Sequence, residues 1–253
     1  MKCLSLLFVM MTLCAAAAPR SFLERLADPR PFFIGHRGRV VKAEDIKENT
    51  LASFEAAAKA GLQAIETDVR LTRDGALVCS HDASLKRVFG VPLDVEKSTL
   101  AEVRKHPVPT FDEYLDVCVK YDVVPFIETK GDKKVVAPVL KVLEKRGLLK
   151  VAVMSAVPYA HIKEVRRLDR TVFVHHIFSK IEHLDEIAAM GNSGLSWNYP
   201  DLTKLPPGLI EKTHAKGVKC CLRGCDTPEA IRAMRDLKLD YLPTNKMTPA
   251  DVQ

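Results

Sequence analysis

Short apolar runs alternate with amphipathic segments along most of this chain, and from Val123 onward the alternation is regular. The runs are short and contain several β-branched residues, as expected for strands that are buried on both faces. The pattern predicts strands at Phe32 to Gly35, Leu62 to Leu71, Val123 to Glu128, Val151 to Met154, Thr171 to His175, Gly194 to Trp197, Val218 to Leu222 and Leu239 to Leu242.

The segments between these runs carry a helical period. In the segment from Thr50 to Ala60, Leu51, Phe54 and Ala57 recur at a spacing that places them on one face. Asn49 directly precedes this segment and is predicted to cap the helix. The same period predicts helices at Phe111 to Lys120, Val136 to Lys145, Tyr159 to Leu168 and Pro228 to Leu237.

Eight strand and helix units in succession predict an α/β fold of the (β/α)8 type, a TIM barrel with parallel strands. The turn signal Asp74-Gly75 follows the second strand, and Ala76 to Ser80 is predicted as the return arm of a short accessory β-hairpin. The alternative is an open doubly wound sheet, but no Gly-rich phosphate loop follows any strand. No linker or change of composition divides the chain, so we expect one domain.

The first residues have a different pattern from the rest. Lys2 is followed by the apolar run Leu4 to Leu13 and then by the small residues Ala15 to Ala18. This order is typical of a secretory signal peptide, and the run is too short to span a membrane. We expect a signal peptide over 1–17, a barrel domain over 18–253, and a secreted or periplasmic protein. The alternative is an amphipathic or buried N-terminal helix.

The composition is that of an ordinary globular protein, with 253 residues, 47% hydrophobic and 28% charged. The net charge of +6 suits an anionic small-molecule substrate. No long basic run or basic helix face with interleaved aromatic residues is present, so no nucleic-acid partner is expected. No second long apolar run follows the first, so no stable membrane insertion is expected. The pattern predicts no particular oligomeric state.

Seven cysteines are present, of which Cys3 and Cys14 lie in the predicted signal peptide. The others are odd in number and irregularly spaced, which indicates neither a disulfide framework nor a zinc site. We expect small, buried apolar side chains. A local bridge between Cys221 and Cys225 is the alternative if the compartment is oxidising.

Candidate chemistry lies where predicted strands end, because the reactive groups of such barrels sit at the carboxyl ends of the strands. His36 and Arg37 directly follow the first strand and lie between two glycines. Glycines let a backbone approach a ligand closely, which favours a functional turn over a purely structural histidine. His81 follows the return arm of the hairpin, next to Asp82. Two histidines that reach one site could act as general base and general acid.

Two carboxylates, Glu66 and Asp68, are two residues apart on the second strand and point to the same face. Like charges inside a barrel are costly without a cation, and a hard divalent ion held by carboxylate oxygens removes the conflict. Glu128 ends the next barrel strand and would supply a third ligand. Lys130 would face the same way and contact a phosphate. The alternative is a shifted strand with both carboxylates solvated.

The remaining histidines are predicted to be less important. His175 and His176 end the fifth barrel strand, where a buried, hydrogen-bonded role is favoured over a pocket role. Trp197, at the end of the sixth strand, is either an aromatic pocket wall or a core residue. Polar surroundings predict an ordinary surface role for His106, His161, His183 and His214.

Six motifs follow one another along the chain: Gly35-His36-Arg37-Gly38, Glu48-Asn49-Thr50, Glu66-Thr67-Asp68, Thr72-Arg73-Asp74-Gly75, His81-Asp82 and Glu128-Thr129-Lys130. Together and in this order, they resemble the glycerophosphodiester phosphodiesterase family. The resemblance covers Phe33 to the end of the chain and is dense up to Lys130. The resemblance implies catalysis by His36 and His81, phosphate contact from Arg37 and Lys130, and one Mg²⁺ or Ca²⁺ at Glu66, Asp68 and Glu128.

The resemblance also implies a reaction, the metal-dependent hydrolysis of glycerophosphodiesters to glycerol 3-phosphate and an alcohol. The C-terminal third departs from the family pattern. Cys220-Cys221-Leu222-Arg223 stands where Trp-Thr is usual, and Thr244-Asn245 stands where Thr-Asp is usual. In the family these positions line the part of the pocket that faces the alcohol group. The sequence therefore supports the type of reaction better than it supports glycerol as the alcohol of the substrate. Two alternatives stay open: a phospholipase D-type enzyme acting on lysophospholipids or sphingomyelin, and a non-catalytic phosphate- or polyol-binding barrel.

Overall fold

The computed structural model describes residues 19–198, 202–222 and 226–252, so the predicted signal peptide lies outside the described residues. The strands are β1 (Phe33–Gly35), β2 (Ala64–Leu71), β3 (Leu77–Cys79), β4 (Val124–Thr129), β5 (Val153–Ala156), β6 (Phe173–Ser179), β7 (Ser193–Trp197), β8 (Lys219–Leu222) and β9 (Leu242–Thr244). The α-helices are α1 (Phe22–Leu26), α2 (Leu51–Lys59), α3 (Lys86–Phe89), α4 (Leu100–Val103), α5 (Phe111–Lys120), α6 (Val136–Lys145), α7 (Tyr159–Leu168), α8 (Leu184–Met190), α9 (Leu209–Ala215) and α10 (Pro228–Asp236). None of the helices in these ranges has the length and apolar character needed to cross a membrane.

Within the described residues, eight parallel strands form one sheet in the order β8, β7, β6, β5, β4, β2, β1 and β9. Because β9 pairs with β1, the sheet curls into a nearly closed barrel, with its seam between β8 and β9. β3 pairs antiparallel with β2 and completes the predicted accessory hairpin. The TIM-barrel prediction is therefore confirmed, and the open doubly wound sheet is excluded.

The element bounds agree best where a local pattern determines them. Helices α5, α6 and α7 have the predicted bounds, whereas β9 begins at Leu242, where the sequence predicts the strand to end. Leu239, where the strand is predicted to begin, is hydrogen-bonded instead to the end of α10. Its backbone N–H donates to the Met234 carbonyl of that helix over 3.2 Å. β6 continues to Ser179, beyond the predicted end at His175, with an irregular register against β7.

The amino end of the barrel is filled by aromatic side chains around Phe22. This residue of α1 is 1% exposed, and its ring centroid lies 4.8 Å from Phe173 and 5.7 Å from Tyr241. The hydrophobic pattern did not predict α1. The helix is held by a capping box between Ser21 and Glu24. Because this end is filled, the carboxyl ends of the strands are left to form a cavity.

The cysteine prediction is confirmed where it can be checked. Cys79, Cys118 and Cys220 are buried and free, and Cys221 is buried. Cys225 lies outside the described residues, and so does the alternative of a bridge to it.

The surface role predicted for His161 is wrong. This residue of α7 is 3% exposed, and its Nδ1 lies 3.0 Å from the hydroxyl of Thr129 on β4. The polar neighbours in sequence were misleading because the partner of the ring comes from a strand that is remote along the chain. The other three histidines of that group are half-buried: His106, His183 and His214.

Candidate active site

The turn after β1 is held by its glycines and by a contact to β2. Arg37 has a φ of 56°, and its backbone N–H donates to Glu66 Oε2 over 2.7 Å. Gly38 has a φ of 80°, and a Cβ there would lie 2.7 Å from the carbonyl group of Ser53. The sequence predicts that these glycines allow a close approach to a ligand. For Gly38 that reason is wrong, because α2 fills the space beside it.

Three carboxylates converge at the carboxyl ends of β2 and β4. Glu66 and Asp68 both lie on β2, and Asp68 is the register partner of Glu128 on β4. All three side chains are buried, and one oxygen from each lies within 4.8 Å of the other two. The predicted strand phase is therefore correct, and the alternative with solvated carboxylates is excluded.

Burial makes this cluster costly in its fully charged form. Desolvation, together with the charges of Asp68 and Glu128, raises the pKa of Glu66 well above its usual value. Desolvation and Asp68 also raise the pKa of Glu128. Among the described residues, Glu66 Oε1 is buried and has no hydrogen-bond partner. An unsatisfied oxygen within a trio of carboxylates fits a hard divalent cation, which prefers oxygen ligands.

Lys130 lies directly beyond β4 and pairs with this cluster. Its Nζ is 2.5 Å from Glu128 Oε1 and 3.1 Å from Asp68 Oδ1. Burial disfavours the ammonium, but Asp68 and Glu128 outweigh it and hold the pKa of Lys130 above its usual value. Lys130 thus neutralises the carboxylates here, and the phosphate contact expected from it remains a prediction.

A chain of ion pairs connects the turn after β1 with the loop after β3. Arg37 Nη1 donates to Glu48 Oε1 over 2.9 Å. Arg87 of α3 donates to both oxygens of Glu48, over 2.7 and 2.9 Å, and to Asp82 over 2.6 Å. The sequence pattern predicts no role for Glu48 or Arg87, because these partners are far apart along the chain. Together they fix the orientation of the Arg37 guanidinium.

His81 is the next member of this chain of contacts. Its Nδ1 lies 2.6 Å from Asp82 Oδ1. Burial disfavours the charged carboxylate, but hydrogen bonds from Arg87 and His81 outweigh it and lower the pKa of Asp82 to about 2. Asp82 is therefore an anion at neutral pH, and its carboxylate holds the His81 ring in place through Nδ1.

His36 is held by residues from the end of the chain. Its Nδ1 lies 2.7 Å from Oδ1 of Asn245, which directly follows β9. Asn245 in turn donates from Nδ2 to Asp226 over 2.7 Å. The departure at Asn245 was visible in the sequence, but its contact with His36 was not. The sequence pattern did not predict a role for Asp226. The only signal was the sequence Asp226-Thr227-Pro228, which is typical of the start of a helix.

One cavity of about 340 Å³ brings these groups together. The seventh predicted site residue, Asp68, is 0% exposed and lies beside Glu128. All the predicted residues therefore meet at one place. The six that line the cavity are His36, Arg37, Glu66, His81, Glu128 and Lys130.

The rest of the cavity wall is largely apolar and includes Val157, Ile177 and Phe178. Trp197 is not part of this wall. It is 1% exposed, and its indole N–H donates to the Thr213 hydroxyl over 3.3 Å, so the core alternative is correct.

The two histidines of β6 are buried, as the sequence analysis favoured. His175 lines the cavity, but it is 3% exposed and its Nδ1 lies 2.6 Å from the Tyr241 hydroxyl. His176 is 3% exposed and has polar partners at both ring nitrogens.

Asn49 supports the carboxylate cluster and does not cap α2. The N-cap is Thr50, one residue later, so the predicted cap is wrong. Asn49 has a φ of 52°, and its Nδ2 donates to Asp68 Oδ2 over 2.8 Å. Its Oδ1 accepts a hydrogen bond from the Thr67 hydroxyl over 2.8 Å. Its side chain is therefore turned toward β2, away from the first turn of α2.

A second group of potential metal ligands, His214, Cys220 and Asp240, lies near the amino ends of β8 and β9. Asp240 Oδ2 is 2.8 Å from His214 Nε2 and accepts from the Cys220 backbone N–H over 2.8 Å. Its other oxygen, Oδ1, is 2.8 Å from Lys219 Nζ. Both oxygens have protein partners, so this group is a structural hydrogen-bond cluster.

Comparison with known proteins agrees with this fold. The family profile places the chain in a class of phosphoric diester hydrolases. More particularly, the profile of the glycerophosphoryl diester phosphodiesterase family matches residues 36–248, and the chain belongs to that family.

The relatives align with different lengths of the chain. A stretch of 75 residues is 44% identical to the probable glycerophosphodiester phosphodiesterase 1 of Mycobacterium tuberculosis, and it covers 30% of this chain and 26% of that protein. The glycerophosphodiester phosphodiesterase of Caldanaerobacter subterraneus subsp. tengcongensis is 26% identical over 231 residues, or 84% of this chain and 93% of that protein. The chain therefore aligns with about a quarter of the first relative and with nearly all of the second.

A solved structure shares the fold. The Oleispira antarctica phosphodiesterase in complex with the product sn-glycerol-3-phosphate matches with a TM-score of 0.75 and 21% identity. The match covers 88% of this chain and 96% of that one.

Proposed function

We propose that this protein hydrolyses small glycerophosphodiesters, such as glycerophosphocholine or glycerophosphoethanolamine, to glycerol 3-phosphate and an alcohol. The observation that carries the proposal is the convergence of His36, His81 and a carboxylate trio on one cavity. Such a cavity can neutralise a phosphate and supply two proton-transfer groups. Membership of the family supports the class of reaction.

The proposed cofactor is one divalent cation, Mg²⁺ or Ca²⁺, held by Glu66, Asp68 and Glu128. When bound, the cation supplies positive charge beside the phosphate and polarises its oxygens. The donor atoms are all carboxylate oxygens, which disfavours zinc. Arg37 and Lys130 would bind the phosphate oxygens through charge-assisted hydrogen bonds.

The two histidines have partners of different charge, which supports different roles. The partner of His81 at Nδ1 is the anionic carboxylate of Asp82, and this pairing supports the role of general acid, which donates a proton to the leaving alkoxide. The partner of His36 at Nδ1 is the neutral amide of Asn245. This amide adds no negative charge beside the ring, and we assign His36 the role of general base, which removes a proton from the attacking water or substrate hydroxyl.

The proposal is tested by incubating the purified protein with a panel of glycerophosphodiesters and Mg²⁺, Ca²⁺ or Mn²⁺. Glycerol 3-phosphate is measured by a coupled enzyme assay. We expect release that stops when a chelator removes the cation and resumes when the cation is restored. Full activity after chelation would exclude a catalytic cation. No release under any condition would favour the non-catalytic binding barrel.

The apolar cavity wall favours a second candidate, a phospholipase D-type reaction on lysophospholipids. Val157, Ile177 and Phe178 line the cavity, and Val157 is 41% exposed. An acyl chain beside the phosphate could pack against such a surface. The kcat/KM for lysophosphatidylcholine is to be compared with that for glycerophosphocholine. A higher value for the lysophospholipid, lost selectively in Val157→Asp, would establish this candidate, whereas a higher value for glycerophosphocholine would reject it.

We also propose that residues 1–17 are a signal peptide and that the protein is secreted or periplasmic. The support is the basic, apolar and small-residue order of the sequence. Mass spectrometry of the exported protein should find a mature amino terminus at Ala18. An exported protein that retains Met1, or a protein that stays in the cytoplasm of its host, would contradict the proposal.

A further inference from the structure

The pair formed by Asp226 and Asn245 lies outside the predicted site, although it contacts His36. Asp226 directly precedes the N-cap of α10, and Asn245 follows β9. The backbone N–H of Asn245 donates to Asp226 Oδ1 over 2.6 Å, and the hydroxyl of Thr244 donates to the same oxygen over 3.1 Å. Asn245 Nδ2 donates to the other oxygen, Oδ2, over 2.7 Å. Three donors therefore hold this carboxylate in one orientation.

The orientation of the Asn245 amide follows from this contact. A carboxylate only accepts hydrogen bonds, so the amide atom that faces Asp226 is the NH₂ nitrogen. The amide oxygen, Oδ1, then faces His36 Nδ1 over 2.7 Å. A carbonyl oxygen also only accepts, so Nδ1 carries a proton. In a neutral imidazole the second nitrogen, Nε2, is then the unprotonated, basic atom.

We infer that Asp226 and Asn245 are positioning residues that hold neutral His36 in its Nδ1-protonated tautomer and so present Nε2 as the basic nitrogen. The inference rests on the proposed function only where it assigns base catalysis to His36. The tautomer itself follows from the hydrogen bonds that connect Asp226, Asn245 and His36. An amide at position 245 orients the ring as a carboxylate would, without adding a negative charge that would favour the imidazolium form.

Two single substitutions interrupt this arrangement at known atoms. Asp226→Asn retains an acceptor for the backbone N–H of Asn245 but turns an NH₂ group toward its amide. The amide of Asn245 must then rotate, which presents its own NH₂ to His36 and favours the wrong tautomer. Asn245→Asp instead places two carboxylates in a contact of 2.7 Å. For each variant we expect kcat to fall by roughly 10-fold or more, with KM changed by less than about 2-fold.

The double variant Asp226→Asn/Asn245→Asp exchanges the two groups. The new amide at position 226 can donate to the new carboxylate at position 245, which still accepts from His36 Nδ1. We expect the double variant to recover most of the lost kcat, so that the effects of the two substitutions are strongly non-additive. Rates are compared as pH-independent kcat values fitted from the bell-shaped pH profile of each variant, so that a change in the ionisation of His36 is separated from a change in its tautomer. Asp236→Asn, exposed on α10, is the matched control and should have wild-type kcat and KM.

The tautomer is measured directly from two-bond ¹H–¹⁵N correlation spectra of the imidazole rings, with His36→Gln used for assignment. At about pH 8 we expect a protonated Nδ1 in the wild type and in the double variant, and a protonated Nε2 in Asp226→Asn. A wild-type His36 with a protonated Nε2, or a double variant no faster than the slower single variant, would overturn the inference. The wild-type spectrum needs no variant to fold. A protonated Nδ1 in a protein that hydrolyses none of the diesters would support the tautomer and reject the proposed function instead.

Discussion

His36 and His81 line the same cavity but have an amide and a carboxylate as their respective partners at Nδ1. Replacing either residue by Ala should lower kcat on an alkyl diester by roughly 10² to 10⁴, because one proton transfer is lost. A nitrophenyl diester has a leaving group that needs no proton. It should therefore restore the rate of His81→Ala much more than that of His36→Ala. The measurement is the ratio of kcat values for the two substrates in each variant.

His106→Ala provides the control for this pair of variants, since His106 lies on a half-buried loop outside the cavity. Its rates on both substrates should equal those of the wild type. Selective rescue of His36→Ala would reverse the assignment of acid and base. Wild-type activity in both histidine variants would show that neither ring transfers a proton.

Glu66 allows a second prediction at the residue scale, because it is desolvated beside two other carboxylates. Glu66→Gln removes one buried negative charge, so the metal-free protein should melt at a higher temperature than the wild type. The same change removes a ligand, so the affinity for Ca²⁺ should fall at least roughly 10-fold and the melting temperature should rise less when Ca²⁺ is added. Differential scanning calorimetry with and without the cation measures both effects.

Glu144→Gln, exposed on α6, is the matched control for charge. It should leave the Ca²⁺-induced rise in melting temperature unchanged. An equal rise in Glu66→Gln and in the wild type would show that Glu66 is not a ligand.

At the scale of elements, β6 places two neighbouring histidines in the protein interior. His176 Nδ1 lies 3.0 Å from the Ser179 hydroxyl and Nε2 lies 3.1 Å from the Val157 carbonyl. Its ring packs against Tyr159 and His183. Burial lowers the pKa of His176 to about 4, so the folded protein keeps this ring neutral at mildly acidic pH.

This low pKa predicts acid sensitivity. Between about pH 6.5 and the folded pKa, the unfolded chain binds a proton at position 176 that the folded chain does not. The free energy of unfolding should therefore fall as the pH falls through this range, and the lost stability should return as the pH rises. Urea titrations at several pH values measure the slope. His176→Gln should reduce proton uptake on unfolding by about one, whereas the control His106→Gln should not. An unchanged slope in His176→Gln would contradict the prediction.

Helix bounds and the carboxylate pair were predictable because their patterns are local. The amphipathic period predicted the bounds of α5, α6 and α7. The two-residue period of a strand placed Glu66 and Asp68 on one face. Glu128 could also be predicted, because parallel barrel strands bring their carboxyl ends to the same edge.

The remaining parts of the site depend on contacts between residues far apart in sequence. His36 and Asn245 are separated by 209 positions, and Arg87 reaches Glu48 across 39. Hydrophobic periodicity does not report which loops meet when a barrel closes. The predicted Asn49 cap failed for the same reason, since its side chain finds a stronger partner on β2, the buried carboxylate of Asp68.

For the whole molecule, the two ends of the barrel have separate tasks, as is usual in this fold. Phe22 fills the amino end at 1% exposure, whereas the candidate site lies at the carboxyl end. Phe22→Ala should lower the free energy of unfolding by roughly 3 to 5 kcal/mol, because it leaves a cavity among aromatic rings. At a temperature where the variant stays folded, kcat should remain close to the wild-type value. Urea denaturation and steady-state kinetics provide the two measurements.

Leu23→Ala tests whether the effect is specific to the buried ring. Leu23 lies on the same helix but is 39% exposed, so its replacement should change the free energy of unfolding by about 0.5 kcal/mol or less. A loss in Phe22→Ala as small as that in Leu23→Ala would show that the aromatic filling is unimportant for stability.

The position of Phe22 also has a consequence for the order of folding. Its ring contacts Phe32, Phe126, Phe173 and Tyr241, which come from nearly the whole length of the chain. A ribosome makes α1 long before Tyr241, and a helix of five residues is not stable alone. Contacts between residues far apart in sequence also form slowly. We therefore expect that α1, made early, docks only after the strands have closed around it, as one of the last steps of folding.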